Sequence, residues 1–314
     1  MKKTLCILLA ILMMFSLFAC AEENKEKAEN ENKEENKNEN KEENKYDEEI
    51  EYTIYSSGTN AEDNAGGKIP FKNSSELQTR ISGDYTIPVS EDQKAHEQTK
   101  TITLDGKEYK LDLALSEHSV AVHCENESFK EMYQRIDTYM YYENQTRVTV
   151  EYGNNGKVPM FISVLNGSND QVTEAKITQE EAKTKADELI DRLYGAKSVD
   201  GYDVYTSQTE EKILVVYTKY IDGYETYSRV VVFFGLDGKL TGLNAETLGI
   251  FDSVEDKITK ERIEKAKAVL LDSISKSWTV VSEELVMDIA TGVCYLQVSV
   301  GNAGDSHQYY INVF

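Results

Sequence analysis

The sequence predicts an α+β fold in which small antiparallel sheets are each covered by a helix, and three observations carry that prediction. Short β-prone runs are joined by Asp-Gly pairs at 105–106, 222–223 and 237–238, a strong local hairpin signal. The pattern Ile-Thr-x-Glu occurs at 177–180 and again at 258–261, each time ahead of apolar residues at helical spacing. Strand-like runs follow each of these helices. The expected architecture is an N-terminal antiparallel sheet unit with a short helix (residues 71–170), then two tandem helix-on-antiparallel-sheet units at 176–250 and 257–314.

In the N-terminal unit, residues 56–67 read as linker and regular structure is expected from about Lys100. Thr101–Leu104 and Lys107–Leu111 form a hairpin about Asp105-Gly106, and Ser119–Cys124 alternates as a third strand. Phe129, Met132, Tyr133 and Ile136 recur at helical spacing, which predicts a short helix over 128–137. Arg147–Tyr152 and Lys157–Leu165 make a second hairpin.

In the second half, Thr178 and Thr259 are placed as helix N-caps. Glu181 completes a capping box in the first copy, where Arg262 stands in the second. The first helix presents Ala182, Ala186, Leu189, Ile190 and Leu193 on one face and stops at Gly195; the second presents Ala266, Leu270 and Ile274. Lys212–Tyr220, Tyr224–Phe234 and Lys239–Leu243 then read as a meander. Glu284–Ala290, Cys294–Val300 and Gln308–Val313 are the strands of the second copy.

The order Ile-Thr-x-Glu-x-Ala, then Tyr217-x-x-Tyr220-Ile-Asp-Gly223, then Val230-Val-Val-Phe-Phe-Gly-Leu-Asp-Gly-Lys-Leu240 resembles PepSY and peptidase-propeptide-like domains. The resemblance covers about 176–249, and more weakly 257–314. The second stretch lacks both the Tyr-Ile-Asp-Gly hairpin and the Asp-Gly-Lys segment. It implies a binding or regulatory role toward a peptidase or another envelope protein, without catalysis.

The N-terminus supplies an address. Lys2 and Lys3 precede an apolar run from Leu5 to Phe18, and Leu17-Phe-Ala-Cys20 closes it. A membrane-spanning helix needs about 20 apolar residues, and this run is shorter. The segment is similar to bacterial lipoprotein signal peptides. That similarity implies removal of residues 1–19, diacylation (palmitate-type chains) of Cys20, and a protein held by lipid on the extracytoplasmic side of the cell membrane. Two acyl chains give stable anchoring where one does not.

Residues 20–70 read as a lipidated cysteine and an acidic Glu/Asn/Lys tether, too poor in apolar residues to form a core. As a flexible coil of some thirty residues, its first part spans roughly 30 Å. The chain carries 56 acidic and 34 basic residues, a net charge of -22. Such a polyanion lacks the basic footprint needed for nucleic acid, and anionic headgroups repel it, which leaves lipid at Cys20 as the membrane contact.

Within the folded part only Cys124 and Cys294 remain, as a pair or as buried thiols. No zinc-type spacing occurs, so neither metal nor cofactor is expected. The histidines are His96, His118, His123 and His307, and none falls in a His-Glu-x-x-His, Gly-x-Ser-x-Gly or Ser-x-x-Lys arrangement. His123 and Cys124 are adjacent on a predicted strand and so face opposite ways. No enzyme is expected.

Tyrosine is abundant, 20 residues against one tryptophan. Tyr217, Tyr220, Tyr224 and Tyr227 gather around one hairpin and form a candidate binding surface for peptide or glycan; the competing reading is cross-strand packing. The expected function is a lipid-anchored, non-catalytic binding or regulatory module. The alternatives are a solute- or glycan-binding lipoprotein and a structural envelope spacer.

Overall fold

The structure, a computed structural model, describes residues 50–57, 69–82, 86–88, 97–119, 136–153, 158–167, 174–274, 277–302 and 305–314. The signal segment, Cys20, the first part of the tether, His96, His123, Cys124 and the predicted elements over 120–135 lie outside them. Glu48–Phe314 is one compact unit.

Four short elements come first: β1 (Ile54–Ser56), β2 (Phe71–Asn73), the helix α1 (Ser75–Ser82) and β3 (Thr86–Pro88). A meander follows, made of β4 (Thr99–Leu104), β5 (Lys107–Ser119), β6 (Ile136–Glu143), β7 (Thr146–Gly153) and β8 (Val158–Asn166). Its inward positions obey the period of two, with Leu111, Tyr139, Val148, Val150, Ile162 and Val164 all buried. The last two residues of the predicted helix 128–137 are strand. Ile136 opposes Gly153 and Asp137 opposes Tyr152, so the β6–β7 ladder overrides the local helical spacing.

The second half comprises α2 (Gln179–Tyr194), β9 (Tyr202–Gln208), β10 (Lys212–Ile221), β11 (Tyr224–Gly235), β12 (Leu240–Asn244), α3 (Lys260–Ser273), β13 (Thr279–Asp288), β14 (Val293–Asn302) and β15 (Asp305–Asn312). The capping box forms as predicted: Glu181 N–H donates to Thr178 Oγ1 at 3.1 Å, and Thr178 N–H donates to Glu181 at 2.7 Å. At α3 only half of it exists, with Arg262 N–H donating to Thr259 Oγ1 at 3.4 Å.

The predicted pair of tandem helix-on-sheet units is not what forms. Fifteen strands, among the described residues, join one mixed sheet that carries only three α-helices. Two junctions fuse what the repeat suggested was separate. β12 pairs antiparallel with β8 through Leu243 opposite Ile162, and β11 meets β13 in parallel at Thr226 and Leu285. The physical reason lies in the edges: β10 and β12 flank the apolar run Val230–Phe234 of β11, which leaves the outer side of β12 and the Thr226 end of β11 unpaired within the meander. Unpaired strand edges invite aggregation, and β8 and β13 close these two. At the far end β1 pairs antiparallel with β15, so residues near the start of the described chain complete the C-terminal sheet.

Two cores result. Ala182, Ala186, Leu189 and Ile190 of α2 pack with Ile213, Val215, Val230, Val232 and Phe234. Ile263, Ala266 and Leu270 of α3 pack with Leu285, Leu296, Val298 and Ile311. On the opposite face of the C-terminal strands, Val286, Tyr295 and Tyr310 receive Leu77 of α1. Among the described residues, no helix is long and apolar enough to cross a membrane.

Candidate functional site

Among the described residues, a concavity sits where three turns and one helix face converge. Two of the turns are two-residue hairpin loops whose central residues both have positive φ: Asp105 (48°) with Gly106 (75°), and Asn144 (49°) with Gln145 (64°). That pattern matches the right-handed twist of the flanking strands and holds each loop tight. The third turn links β11 to β12, with Gly235 N–H donating to Lys239 O at 2.9 Å and Gly238 N–H to Gly235 O at 2.8 Å. Leu240 N–H donates to Asp105 Oδ2 at 2.8 Å, which ties the first turn to the third. From α2, Lys185, Glu188, Leu189 and Arg192 face the same space at spacings of three and four residues.

The cleft measures about 910 Å³. Its floor is sealed by Leu104, Tyr109, Val164, Leu189, Phe234 and Leu240, all buried. Its walls carry four cations (Lys107, Lys185, Arg192, Lys239) against three carboxylates (Asp105, Glu188, Asp237), in a chain whose net charge is -22. Lys239 is engaged, 2.8 Å from Asp237. Burial pushes the Asp237 carboxyl up, but its bonds to Lys239 outweigh that and hold it below its ordinary range. Lys185 Nζ donates to Gly238 O at 2.7 Å and keeps its other hydrogens. Lys107 Nζ rests 4.7 Å from the Tyr109 ring centre and 5.7 Å from that of Tyr141. Neither Lys107 nor Arg192 has a carboxylate partner among the described residues, and Arg192 stands exposed at the rim.

The four predicted tyrosines do not form one surface. Strand register places Tyr217 and Tyr224 on one sheet face and Tyr220 and Tyr227 on the other. Tyr217 is buried and donates to Asp187 of α2 at 2.6 Å. Tyr224 donates to Glu264 of α3. For both hydroxyls, burial first and the bonded carboxylate second push the pKa up, so each stays neutral. These two residues fasten helices to the sheet. Tyr227 packs at the α1 cluster. Of the four only Tyr220 is open, 40 % exposed, and its outward neighbour is Tyr205, 46 % exposed.

No family model matches the chain, and no curated protein does. A solved structure, the Bacillus megaterium YpeB C-terminal domain, is similar at 12% identity with a TM-score of 0.29, covering 76% of this chain and 92% of that one.

Elsewhere, Cys294 is a free, buried thiol that burial pushes well above its ordinary pKa. His307 lies edge-on to Trp278 with ring centres 4.8 Å apart. Among the described residues no group of three His, Cys, Asp or Glu is placed to hold a metal ion. Besides its charged groups and amides, the cleft lining carries one aliphatic hydroxyl, that of Thr146. Sequence reading missed this site, because Lys107, Asn144, Arg192 and Lys239 are far apart in the chain. The Asp105-Gly106 and Asp237-Gly238 turns and Leu189 of the α2 stripe are its parts with a local signature.

Proposed function

We propose that this protein is a non-catalytic binding module that takes its ligand or partner in the cleft between the three turns and α2. The reading is carried by one observation: a concavity of about 910 Å³ in which amides and charges of both signs converge above buried apolar side chains, a concave site with convergent polar groups being the usual setting for a ligand. The signal-like segment ending at Cys20 supports lipid anchoring on the extracytoplasmic side of the membrane, and the PepSY-like motif order over 176–249 supports an envelope protein or peptidase as partner.

Site-directed photocrosslinking in native membranes tests the reading. A crosslinker at Asn166, in the cleft, is expected to form a discrete adduct. One at Val281, exposed at 71 % and outside the cleft, is the control. No adduct from Asn166, or the same adduct from both positions, overturns it. Replacing Cys20 by Ser is expected to release the protein from the membrane fraction, and retention there overturns the anchoring.

A further inference from the structure

We infer that the cleft recognises a short peptide through a carboxylate, received by Arg192 and Lys107; the inference rests on the cleft being the binding site proposed above. Charge is the first argument. In a chain of net charge -22, these two cations of the cleft have no carboxylate partner among the described residues. The Arg192 guanidinium presents five donors in a planar fork suited to a carboxylate. Lys107 is held in place over the Tyr109 and Tyr141 rings, so little ordering is required when it receives a charge.

The second argument concerns the size of that charge. Four cations stand with three carboxylates, and Glu188 and Asp237 remain in the cleft. This near balance accommodates one carboxylate and repels a phosphate-dense polyanion.

The third argument separates peptide from sugar. Saccharide sites offer open aromatic faces, whereas the lining aromatics here, Tyr109 and Phe234, are 7 % and 2 % exposed. Tyr109 is further covered by Lys107 and edge-packed on Tyr141 with ring centres 5.2 Å apart. The rim instead supplies side-chain amides from Asn144, Gln145 and Asn166, each able to donate to and accept from a peptide bond.

The test is calorimetric titration of the full chain with four probes. The peptides are Gly-Gly-Glu-Gly-Gly blocked at both ends, Gly-Gly-Leu-Gly-Gly with a free C-terminus, and that peptide amidated; the fourth probe is trigalacturonate. At least one carboxylate peptide is expected to bind about tenfold or more tightly than the amidated one. The first two probes distinguish a side-chain carboxylate from a chain terminus. Arg192→Gln, an exposed change that spares the core, is expected to remove that preference, and Arg192→Lys to restore part of it. Equal binding of charged and amidated peptides, or a preference untouched in Arg192→Gln, overturns the inference and leaves the cleft reading standing. Tighter binding of trigalacturonate than of any peptide overturns the peptide assignment. Silence from all four probes while the Asn166 crosslink persists overturns the carboxylate inference alone; loss of the crosslink as well overturns both.

Discussion

Arg80 Nε donates to Asp288 Oδ2 at 2.9 Å, joining α1 to the end of β13 across 208 residues of chain. The Asp288 side chain is 1 % exposed, and its other oxygen accepts from Ala290 N–H at 3.0 Å. Arg80 also reaches Glu76 one turn back, so the guanidinium is held from both sides.

Removing the cation strands a buried carboxylate. Arg80→Met is therefore expected to cost about 3 kcal/mol in chemical denaturation. Arg80→Met with Asp288→Asn is expected to recover part of that loss, because the remaining group is neutral. Equal stability of the single variant and the wild type would show that water solvates Asp288 adequately.

That contact also marks what the sequence hides. Elements with a local signature were legible: the Asp-Gly hairpins, the Thr178–Glu181 capping box and the buried stripe of α2 all stand as read. The region around α1 was not, since residues 56–67 look like linker and α1 is short and polar in composition. It is held by Leu77 in a cluster with Val286, Tyr295 and Tyr310, and by Asp288, all far along the chain. The repeat misled for a related reason. Each copy specifies its own helix and hairpins, but whether two sheets stay apart is decided by edge pairing such as Leu243 with Ile162. The cleft shares this property, being made where turns distant in sequence meet.

Tyr217 tests the fastening of α2. Tyr217→Phe keeps the ring in the core and deletes only the bond to Asp187, at an expected cost of about 1–2 kcal/mol. Asp187 retains Lys183 at 2.8 Å, which limits the damage. Thermal denaturation beside wild type measures it, and an unchanged midpoint would mean the hydroxyl contributes nothing.

Alkaline pH should destabilise the fold through its buried tyrosines. The Tyr152 hydroxyl is pushed up to about 12, chiefly by burial and then by Tyr139 and Glu97. Burial likewise raises Tyr194, Tyr217 and Tyr295. In the unfolded chain these groups lose their protons near 10, so between about 10 and 12 the folded state binds more protons. Stability is complete below about pH 10 and falls as pH rises through that window. Melting temperature against pH, read beside tyrosinate absorbance, checks it; a flat profile over the window contradicts it.

Gly238 has φ of 79°, and a Cβ built there would meet Ile177 Cγ2 at 2.7 Å. Gly238→Ala therefore combines an unfavourable backbone conformation with a collision, and about 2 kcal/mol of destabilisation is expected. Because Gly238 O also receives Lys185, the variant should reshape the cleft wall and weaken ligand binding there. A variant as stable as wild type would show that Ile177 moves aside freely.

The two helix starts differ at the capping-box position, Glu181 against Arg262, and that difference is measurable. Thr178 has a reciprocal partner in Glu181, whereas Thr259 faces Arg262, which donates its backbone N–H but returns no carboxylate. Thr178→Ala should cost about 1 kcal/mol, the usual value of a lost cap. Arg262→Glu should do the reverse at α3, supplying the missing acceptor and placing negative charge at a helix N-terminus, for a gain of about 0.5 kcal/mol. Against that gain stands the bond from Arg262 to Lys257 O at 3.3 Å, which is exposed and weak. Paired denaturation curves for the two variants decide the matter, and a destabilised Arg262→Glu would mean that the lost contacts of Arg262 outweigh the completed capping box.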